Sequence, residues 1–475
     1  VSIDFARGTA EQAREQFALD AAALAASDQL GMPEQDRDGP LAAQAYFRAN
    51  LGDRSNATLD TVVMDADAGQ VRASASGTIV TQLMKVFGVD SMRIGASSTV
   101  AKGDQTFEIA LVLDNSGSMA GSYITDLKTA AKNLTGVLYA GADGTSKVSI
   151  GIVPFAGSVN VGTDYRTANW IDGEAKNSVH YENVSENRTR FQLFDDMGVA
   201  WGGCVEVRPG TLATDDTPAA SGNGDTYFVP MLAPDEPDSV NASGDSYSNS
   251  YLVDDGGTCT PQPTTCTRYD RRGRCTQTAK VPLTPAVAQA RTCKYKSQTP
   301  SGGSGPNASC TTKPVLPLTK TRSVVDAHID QLTASGSTNI SEGLMWGWRL
   351  LSSSEPFADG RADDTPRNNK IIILMTDGEN TYYSASNHNH SSYGAYGYAA
   401  KDRLGTTYTN AALRSNMNAN LQTACANAKA AGITIYSVAF RLESDPTTQS
   451  LLSSCASSGS KYFSASNGAV LISTF

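Results

Sequence analysis

Features that mark several classes of protein are scarce or missing in this chain of 475 residues. It has no C-x-x-C pair and only 4 histidines, so the usual ligands of a zinc site are in short supply. Its 38 lysines and arginines are outnumbered by 48 acidic residues, and the net charge of −10 disfavours nucleic acid as a partner. No run reaches the roughly 18 consecutive apolar residues of a membrane span, so we expect membrane attachment only through an upstream N-terminal segment that is absent here.

The cysteines that are present predict disulfide bonds. They number 8, they are widely spaced, and six of them fall between residues 204 and 310. Such a pattern is typical of a protein from an oxidising compartment. We expect Cys425 to pair with Cys455 across two neighbouring elements, and Cys266 to pair with Cys275 across a short hairpin. The partners of the other four stay open: Cys204, Cys259, Cys293 and Cys310.

The first part of the sequence, residues 1–102, predicts a small α+β module. A helix is expected over 4–27, followed by a second helix and three antiparallel strands. The long helix carries one narrow apolar stripe at helical spacing, formed by Ala10, Ala13, Phe17, Ala21 and Leu24.

Residues 103–475 follow a different pattern, in which strands alternate with helices. This alternation predicts a doubly wound, mainly parallel α/β sheet covered on both faces. Residues 160–313 interrupt it with a segment that is rich in Gly, Ser, Thr, Asp and Pro and shows no convincing helix. We interpret this segment as a disulfide-stapled insertion. Its acidic residues either bind Ca²⁺ or are solvated: Asp235, Glu236, Asp238, Asp254 and Asp255.

A polar motif ends the first strand of this second part, where residues 111–122 read LVLDNSGSMAGS. Asp114, Ser116 and Ser118 offer three oxygen atoms from one tight loop at the carboxyl end of a strand, where parallel sheets bind their ligands. Taken alone, the motif is equally compatible with a serine that caps the following helix.

Two further motifs favour a metal. Thr338 lies in the loop SGSTNISEGL before a helix, and Asp377 ends the apolar strand in IIILMTDGEN. We expect all three loops to converge on one edge of the sheet, where their hydroxyls and carboxylates form an all-oxygen set suited to a hard cation. The predicted metal ligands are Asp114, Ser116, Ser118, Thr338 and Asp377.

The three motifs, in this order, resemble the metal-ion-dependent adhesion site of von Willebrand factor A domains. The resemblance implies a Rossmann-like fold, a bound Mg²⁺ (or Ca²⁺ or Mn²⁺), serine and threonine ligands, and aspartates that often act through water. It also implies one coordination position that stays open for an acidic group of a ligand, which agrees with the octahedral preference of Mg²⁺. Asp114 and Thr338 are further apart in sequence than is usual in that family, and the insertion accounts for the difference.

Other stretches narrow the resemblance to TadG-like proteins of the TadE/TadG family, which belong to the Tad (Flp) pilus system. FARGTAEQAREQFALDAAALAAS is similar to their N-terminal helix, and GSTNISEGLMWGWRLLS and LMTDGENTYY also resemble these proteins. The resemblance implies a protein of the bacterial cell envelope, periplasmic or extracellular, with a pilin-like N-terminal stalk and a terminal A domain. It implies other Tad pilus proteins as partners, namely the pilin and TadE- or TadF-like minor pilins.

A loop rich in Tyr, Ser, Gly and Asn follows Asp377 and resembles a recognition surface in composition. An equally good interpretation is a lid that packs on the insertion. The tyrosines of this loop (residues 382–398, the tyrosine loop) are Tyr382, Tyr383, Tyr393, Tyr396 and Tyr398.

Two functions are compatible with these observations. The first is a minor pilin-like adhesin that captures an acidic group on a surface or protein ligand through the metal. The second is a structural component of pilus assembly or of the pilus tip, whose A domain docks onto other Tad proteins. An enzyme is not expected, because no histidine or cysteine lies in a triad-like context and the metal oxygens leave no obvious general base.

Overall fold

The computed structural model describes residues 2–31, 38–52, 56–65, 69–101, 105–140, 147–238, 246–281 and 283–474. The chain divides into two compact units, Val1–Gln105 and Thr106–Phe475, close to the expected boundary after residue 102. In the described part of the chain, no helix combines the length and the apolar character that crossing a membrane requires.

The first unit is an α+β module whose two helices pack on an antiparallel sheet with the strand order β1-β2-β3. Its elements are α1 (Ser2–Asp28), α2 (Gly39–Leu51), β1 (Thr58–Asp65), β2 (Gln70–Val80) and β3 (Ser91–Ala101). Small side chains let α1 lie close to its neighbours: Ala18, Ala22 and Ala26 are buried together with Phe47 of α2 and Val71 of β2.

The predicted apolar stripe of α1 is on the wrong face. Phe17 and Leu24 are 66% and 59% exposed, and the buried face carries alanines together with Leu19. The helix is apolar on more than one side, so spacing alone did not identify the side that packs. Burial was decided by size, because alanine allows the close approach that phenylalanine would prevent.

The second unit is an α/β domain built on a six-stranded sheet with the strand order β11-β10-β9-β4-β5-β8. The strands of the whole unit, including two that lie outside this sheet, are β4 (Thr106–Asp114), β5 (Val148–Phe155), β6 (Thr264–Tyr269), β7 (Cys275–Lys280), β8 (Leu316–Thr319), β9 (Asn368–Thr376), β10 (Thr434–Phe440) and β11 (Tyr462–Ala465). All neighbouring pairs in the six-stranded sheet are parallel except β5 with the short edge strand β8, and β6 and β7 form a separate hairpin.

Helices cover both faces of this sheet, as the alternation of strands and helices predicts. They are α3 (Ser122–Ala140), α4 (Arg190–Met197), α5 (Pro285–Ala290), α6 (Arg322–Asp330), α7 (Ile340–Leu351), α8 (Asn410–Ala430), α9 (Pro446–Cys455) and α10 (Gly468–Thr474). Side chains of α3, α6 and α10 pack on one face, and those of α7, α8 and α9 pack on the other. A mixed α/β domain with a mainly parallel sheet is therefore confirmed; β8, α5 and α9 were not predicted.

The insertion shares the hydrophobic core of the sheet. Trp170 and Phe228 from the insertion contact Trp346 of α7, with ring centroids 6.3 and 5.0 Å away. The expectation of no helix in this segment was wrong, because α4 is buried there and begins with a capping box between Thr189 and Gln192. The spacing T-x-x-Q was the available signal for that helix.

All eight cysteines form disulfide bonds. The two predicted bonds, Cys425–Cys455 and Cys266–Cys275, are confirmed. The two that the sequence left open join Cys204 to Cys310 and Cys259 to Cys293.

Candidate functional site

The two predicted carboxylate ligands follow the two middle strands of the sheet. β4 and β9 are adjacent and parallel, with Leu113 paired to Met375, so both strands end at the same edge. Asp114 is the last residue of β4 and Asp377 comes directly after β9. Because both strands are buried, apolar and in register, their polar ends are fixed side by side.

A chain of hydrogen bonds joins four of the five predicted ligands. The Ser116 N–H donates to Asp114 Oδ1 at 2.7 Å, and the Ser116 and Ser118 hydroxyls lie 3.0 Å apart. Ser118 Oγ donates to Asp377 Oδ1 at 2.6 Å. The expected convergence of the Asp114 and Asp377 loops is therefore present in the fold.

The loop that carries Thr338 lies against both of the others. The Gly117 N–H donates to the carbonyl of Gly336 at 2.9 Å, which joins this loop to the Asp114 turn. Thr338 and Thr381 exchange two hydrogen bonds: Thr338 N–H donates to Thr381 Oγ1 at 2.7 Å, and Thr381 N–H donates to Thr338 O at 2.9 Å. All three motif loops thus meet at one edge.

Three residues that support this edge were not singled out from the sequence. Thr376 Oγ1 donates to Asp114 Oδ2 at 2.5 Å and occupies the second oxygen of that carboxylate. Asn380 Oδ1 accepts the first free N–H of α7, from Ile340, at 2.8 Å, and Thr381 makes the exchange just described. Thr376, Asn380 and Thr381 flank Asp377 in sequence, which is the signal that was available.

The negative charges of Asp114 and Asp377 at this edge of the sheet are not neutralised by nearby basic side chains among the described residues. Burial raises the pKa of Asp114, although hydrogen bonds from Ser116 and Thr376 oppose the rise. Burial and the neighbouring charge of Asp114 raise the pKa of Asp377 to about 7, against the hydrogen bond from Ser118. Among the described residues neither carboxylate forms an ion pair with a basic side chain. A positive charge would therefore be favourable between them.

The donor set fits a hard divalent cation. Two carboxylates and nearby hydroxyls supply only oxygen, which is what Mg²⁺ and Ca²⁺ prefer. Within the described ranges there is no group of three or more His, Cys, Asp or Glu side chains that could hold a metal ion. Only two of the five predicted ligands belong to those residue types, so the metal role of Asp114, Ser116, Ser118, Thr338 and Asp377 stays a prediction.

The tyrosine loop is mostly a buried lid. Tyr382, Tyr393, Tyr396 and Tyr398 are buried, whereas Tyr383 is 55% exposed. Tyr393 Oη donates to Glu206 at 2.5 Å and Tyr398 Oη donates to Glu236 at 3.3 Å, and both acids belong to the insertion. Of the two interpretations that the composition left open, burial of these four rings agrees with the lid. Tyr383 alone of the five keeps an exposed ring.

The five acidic residues considered for Ca²⁺ differ in exposure: Asp235, Glu236 and Asp254 are buried, Asp255 is half-buried and pairs with Lys280 and Arg291, and Asp238 is exposed. Asp235 is fully buried and pairs with the buried ammonium of Lys294 at 2.6 Å, which also contacts Asp254 at 3.0 Å. Glu236 accepts the backbone N–H of Asn249 at 2.7 Å. Asp235, Glu236 and Asp254 are therefore satisfied internally and serve the packing of the insertion, whereas Asp238 is exposed to solvent.

A buried histidine–carboxylate pair in the insertion has no catalytic context. His180 Nδ1 lies 2.7 Å from Asp172 Oδ2, and its Nε2 accepts the backbone N–H of Arg190 at 3.1 Å. Both ring nitrogens are engaged and the ring is fully buried, so this pair is structural.

No protein-family model and no curated protein matches this chain. Solved structures that match this chain include the pilus adhesin SpaC from Lactobacillus rhamnosus GG, with 12% identity, a TM-score of 0.34, and coverage of 89% of this chain and 34% of that chain. They also include the adhesive tip pilin GBS104 from Group B Streptococcus agalactiae (11%, TM-score 0.36, 78% and 97%) and the PilB minor pilin from Streptococcus sanguinis (12%, TM-score 0.33, 88% and 76%). This chain spans about a third of the length of SpaC. Similarity at this level does not establish a family.

Proposed function

We propose that this protein is a pilus-associated adhesin that binds an acidic group of its ligand through a divalent cation at the Asp114 edge. One observation carries the proposal: two carboxylates and two serine hydroxyls are joined in one hydrogen-bonded cluster with no basic partner among the described residues. Asp114 is fully buried and Asp377 is half-buried, and carboxylates withdrawn from water in this way are costly unless a cation pairs with them.

In this proposal the five residues have distinct roles. Ser116, Ser118 and Thr338 would hold Mg²⁺ by their hydroxyl oxygens, and Asp114 and Asp377 would supply the compensating negative charge. The bound ion supplies a positive centre that attracts a ligand carboxylate. Thr376 keeps the Asp114 side chain oriented through its 2.5 Å hydrogen bond, and Asn380 fixes the start of α7 beside the site.

The pilus context rests on the sequence resemblance to TadG-like proteins of the Tad system. It places the protein in the bacterial envelope, with its first unit as the stalk. We assign no enzymatic activity, because the proposed chemistry is ligand capture and the histidine–carboxylate pair is structural.

A role in pilus assembly is the second candidate, and the first unit favours it. This unit exposes several large apolar side chains, and such side chains mark a contact surface for another protein where they lie together. They are Phe17, Leu24, Leu41, Tyr46, Val86 and Phe87.

The experiment that tests the metal site is a calorimetric titration of the purified chain with Mg²⁺ and Mn²⁺. We expect one site in the wild type and none in Asp114→Ala. Asp330→Ala is the matched control, because Asp330 is an exposed acid that pairs with Lys132 on the surface. Equal binding by Asp114→Ala and wild type would remove the proposal.

Bacteria that carry Asp114→Ala separate the two candidate functions. Pili that assemble normally but fail to attach support adhesion through the metal. Loss of pili supports the assembly role instead. This point variant is preferable to deletion of the tyrosine loop, because that loop is buried and its removal would expose the insertion.

A further inference from the structure

A cavity of about 210 Å³ opens next to the Thr338 loop. Three segments that are distant in sequence form its walls: the end of the insertion, the loop before α7, and the tyrosine loop. The side chains that line it are Ser309, Ser337, Ser392, Tyr382, Tyr383 and Tyr393, with Gly336 and Gly394 completing the walls.

This cavity borders the oxygen cluster. Gly336 accepts the hydrogen bond from Gly117 in the Asp114 turn, and Ser337 directly precedes Thr338. On the opposite wall, Tyr382 and Tyr383 directly follow Thr381, the partner of Thr338. The pair Thr338–Thr381 therefore joins both walls of the cavity to the loops that carry the predicted metal ligands.

The inner walls of the cavity are fixed before any ligand arrives. Tyr382 donates its hydroxyl hydrogen to the carbonyl of Gly397, and Ser309 Oγ donates to the carbonyl of Tyr393 at 2.7 Å. A side chain at Gly394 would come within 2.8 Å of the Tyr382 ring, so only glycine leaves this space open. Preformed walls lower the entropic cost of binding.

The side chains that line the cavity indicate which class of ligand it can bind. The cavity is lined by serine hydroxyls, tyrosine rings and glycine backbone, without a charged or aliphatic side chain. An aliphatic group would be better matched by aliphatic walls, and a cationic group would need an acid. A single ring with hydroxyls at its rim and an apolar C–H face fits both kinds of wall. The volume lies below the roughly 300–1,000 Å³ of sites for drug-sized ligands, which limits the occupant to one such ring.

We propose that this cavity is a sugar subsite and that the ligand is an acidic saccharide of the hexuronate class. The uronate carboxylate binds at the cation of the Asp114 edge, and the pyranose ring enters the cavity against Tyr383. Ser309, Ser337 and Ser392 then face the ring hydroxyls. This inference rests on the proposed function, because the carboxylate needs the cation.

The test measures binding of three small probes to the full chain in the presence of Mg²⁺ by ligand-observed NMR titration. The probes are D-glucuronate, D-glucose, which lacks the carboxylate, and N-acetyl-aspartate methylamide, which has a carboxylate without the sugar ring. We expect D-glucuronate to bind more tightly than both of the others. Tyr383→Ala should weaken D-glucuronate about fivefold to tenfold, the usual size of one aromatic contact, and leave the aspartate probe unchanged.

Two further variants complete the design. Ser392→Phe places a bulky ring at the mouth of the cavity and should block D-glucuronate while Mg²⁺ binding persists. Tyr269→Ala is the matched control, because Tyr269 is a similarly exposed tyrosine on the β6–β7 hairpin and does not line the cavity.

The outcomes separate this inference from the proposed function. If Tyr383→Ala and Ser392→Phe bind D-glucuronate as tightly as wild type, or if the aspartate probe binds as tightly as D-glucuronate, the sugar subsite is wrong and an acidic peptide becomes the better ligand class. If no probe depends on Mg²⁺ and no Mg²⁺ binds, the cation site itself fails, and the subsite fails with it.

Discussion

Two regions of the second unit hold fully or partly buried carboxylates, and the two regions differ in whether basic side chains pair with them. In the insertion, Glu206 is buried between Arg190 at 2.5 Å and Arg403 at 2.6 Å. At the sheet edge, Asp114 and Asp377 share hydroxyl partners, and within the described ranges no basic side chain pairs with them. The first region is balanced by its own residues, whereas the second is balanced only if a cation arrives from outside.

The pKa values of Glu206 and Asp377 show the same difference. Burial would raise the pKa of Glu206, but the charges of Arg190 and Arg403 outweigh it and hold that pKa below its ordinary value. For Asp377 burial and a neighbouring negative charge act together and raise the pKa to about 7. A buried acid with its own arginines serves the fold, and a buried acid without them is a candidate for function.

The largest expected effect on stability comes from removing the long-range disulfide bond of the insertion. Replacing Cys204 and Cys310 by serine should lower the free energy of unfolding by about 4–5 kcal/mol, because this bond closes a loop of 106 residues. Replacing Cys266 and Cys275, which close 9 residues, should cost less than about 3 kcal/mol. Denaturant unfolding of both double variants measures the difference, and equal losses would show that the insertion does not depend on the longer closure.

The second largest effect on stability should come from removing the buried ion pairs of Glu206. Glu206→Ala leaves Arg190 and Arg403 buried without their shared carboxylate, and we expect a loss of about 3–5 kcal/mol in the free energy of unfolding. Asp195→Ala removes the more exposed pair with Arg166 and should cost at most about 1 kcal/mol. A loss for Glu206→Ala no larger than that of its control would contradict the distinction between the two regions.

At the sheet edge we expect removal of an acidic side chain to raise the stability of the metal-free protein. In metal-free buffer at pH 8, Asp377→Asn should stabilise the protein, because it removes one of two like charges. With Mg²⁺ at 100 times its dissociation constant, the wild type should gain about 2.7 kcal/mol that the variant lacks. Thermal unfolding with and without Mg²⁺ measures both effects, with the exposed Asp330→Asn as control. Destabilisation of the metal-free protein by Asp377→Asn would make the edge an ordinary structural site.

The smallest effect concerns Glu182, which lies 3.7 Å from Arg403 at the margin of the balanced region. Burial raises its pKa to about 7, against the attraction of Arg403. The folded state therefore binds the extra proton, and the contribution of Glu182 to stability falls as pH rises from about 4.5 to about 7. Glu182→Gln should remove this slope, so that it is more stable than wild type by about 1–2 kcal/mol at pH 8 and nearly equal at pH 4.5. Parallel pH curves for the two proteins would contradict the assignment.

The sequence predicted the regular parts of the second unit well, because its strands are uniformly apolar and end at polar residues. Asp114 and Asp377 were located by that abrupt change, and parallel strands necessarily bring their ends to one edge. Thr338 was located by its motif, although its pairing with Thr381 could be recognised only in the fold. Sequence patterns of this kind report only on residues that are close in sequence, so they predicted the elements and motifs whose determining residues are neighbours in the chain.

The structures of the insertion and of α1 were harder to predict from the sequence, for two different physical reasons. In the insertion the stabilising partners are far apart in sequence, as in the contact of Tyr393 with Glu206, and no periodicity reports such pairs. In α1, Phe17 and Leu24 carry the larger apolar side chains, yet close packing selected the alanine face. The tyrosine loop combines both problems, because its composition suits a recognition surface and a packed lid equally well.

The position of Asp114 and Asp377 after the two middle strands also has a mechanical consequence. Tension applied at that edge enters the sheet through β4 and β9, and each of them is hydrogen-bonded to a parallel strand on both sides. Drawing either strand out requires two ladders to shear at once, whereas a strand at the rim would peel away one bond at a time. A contact point anchored in this way can bear a sustained pull without the sheet unravelling from its border.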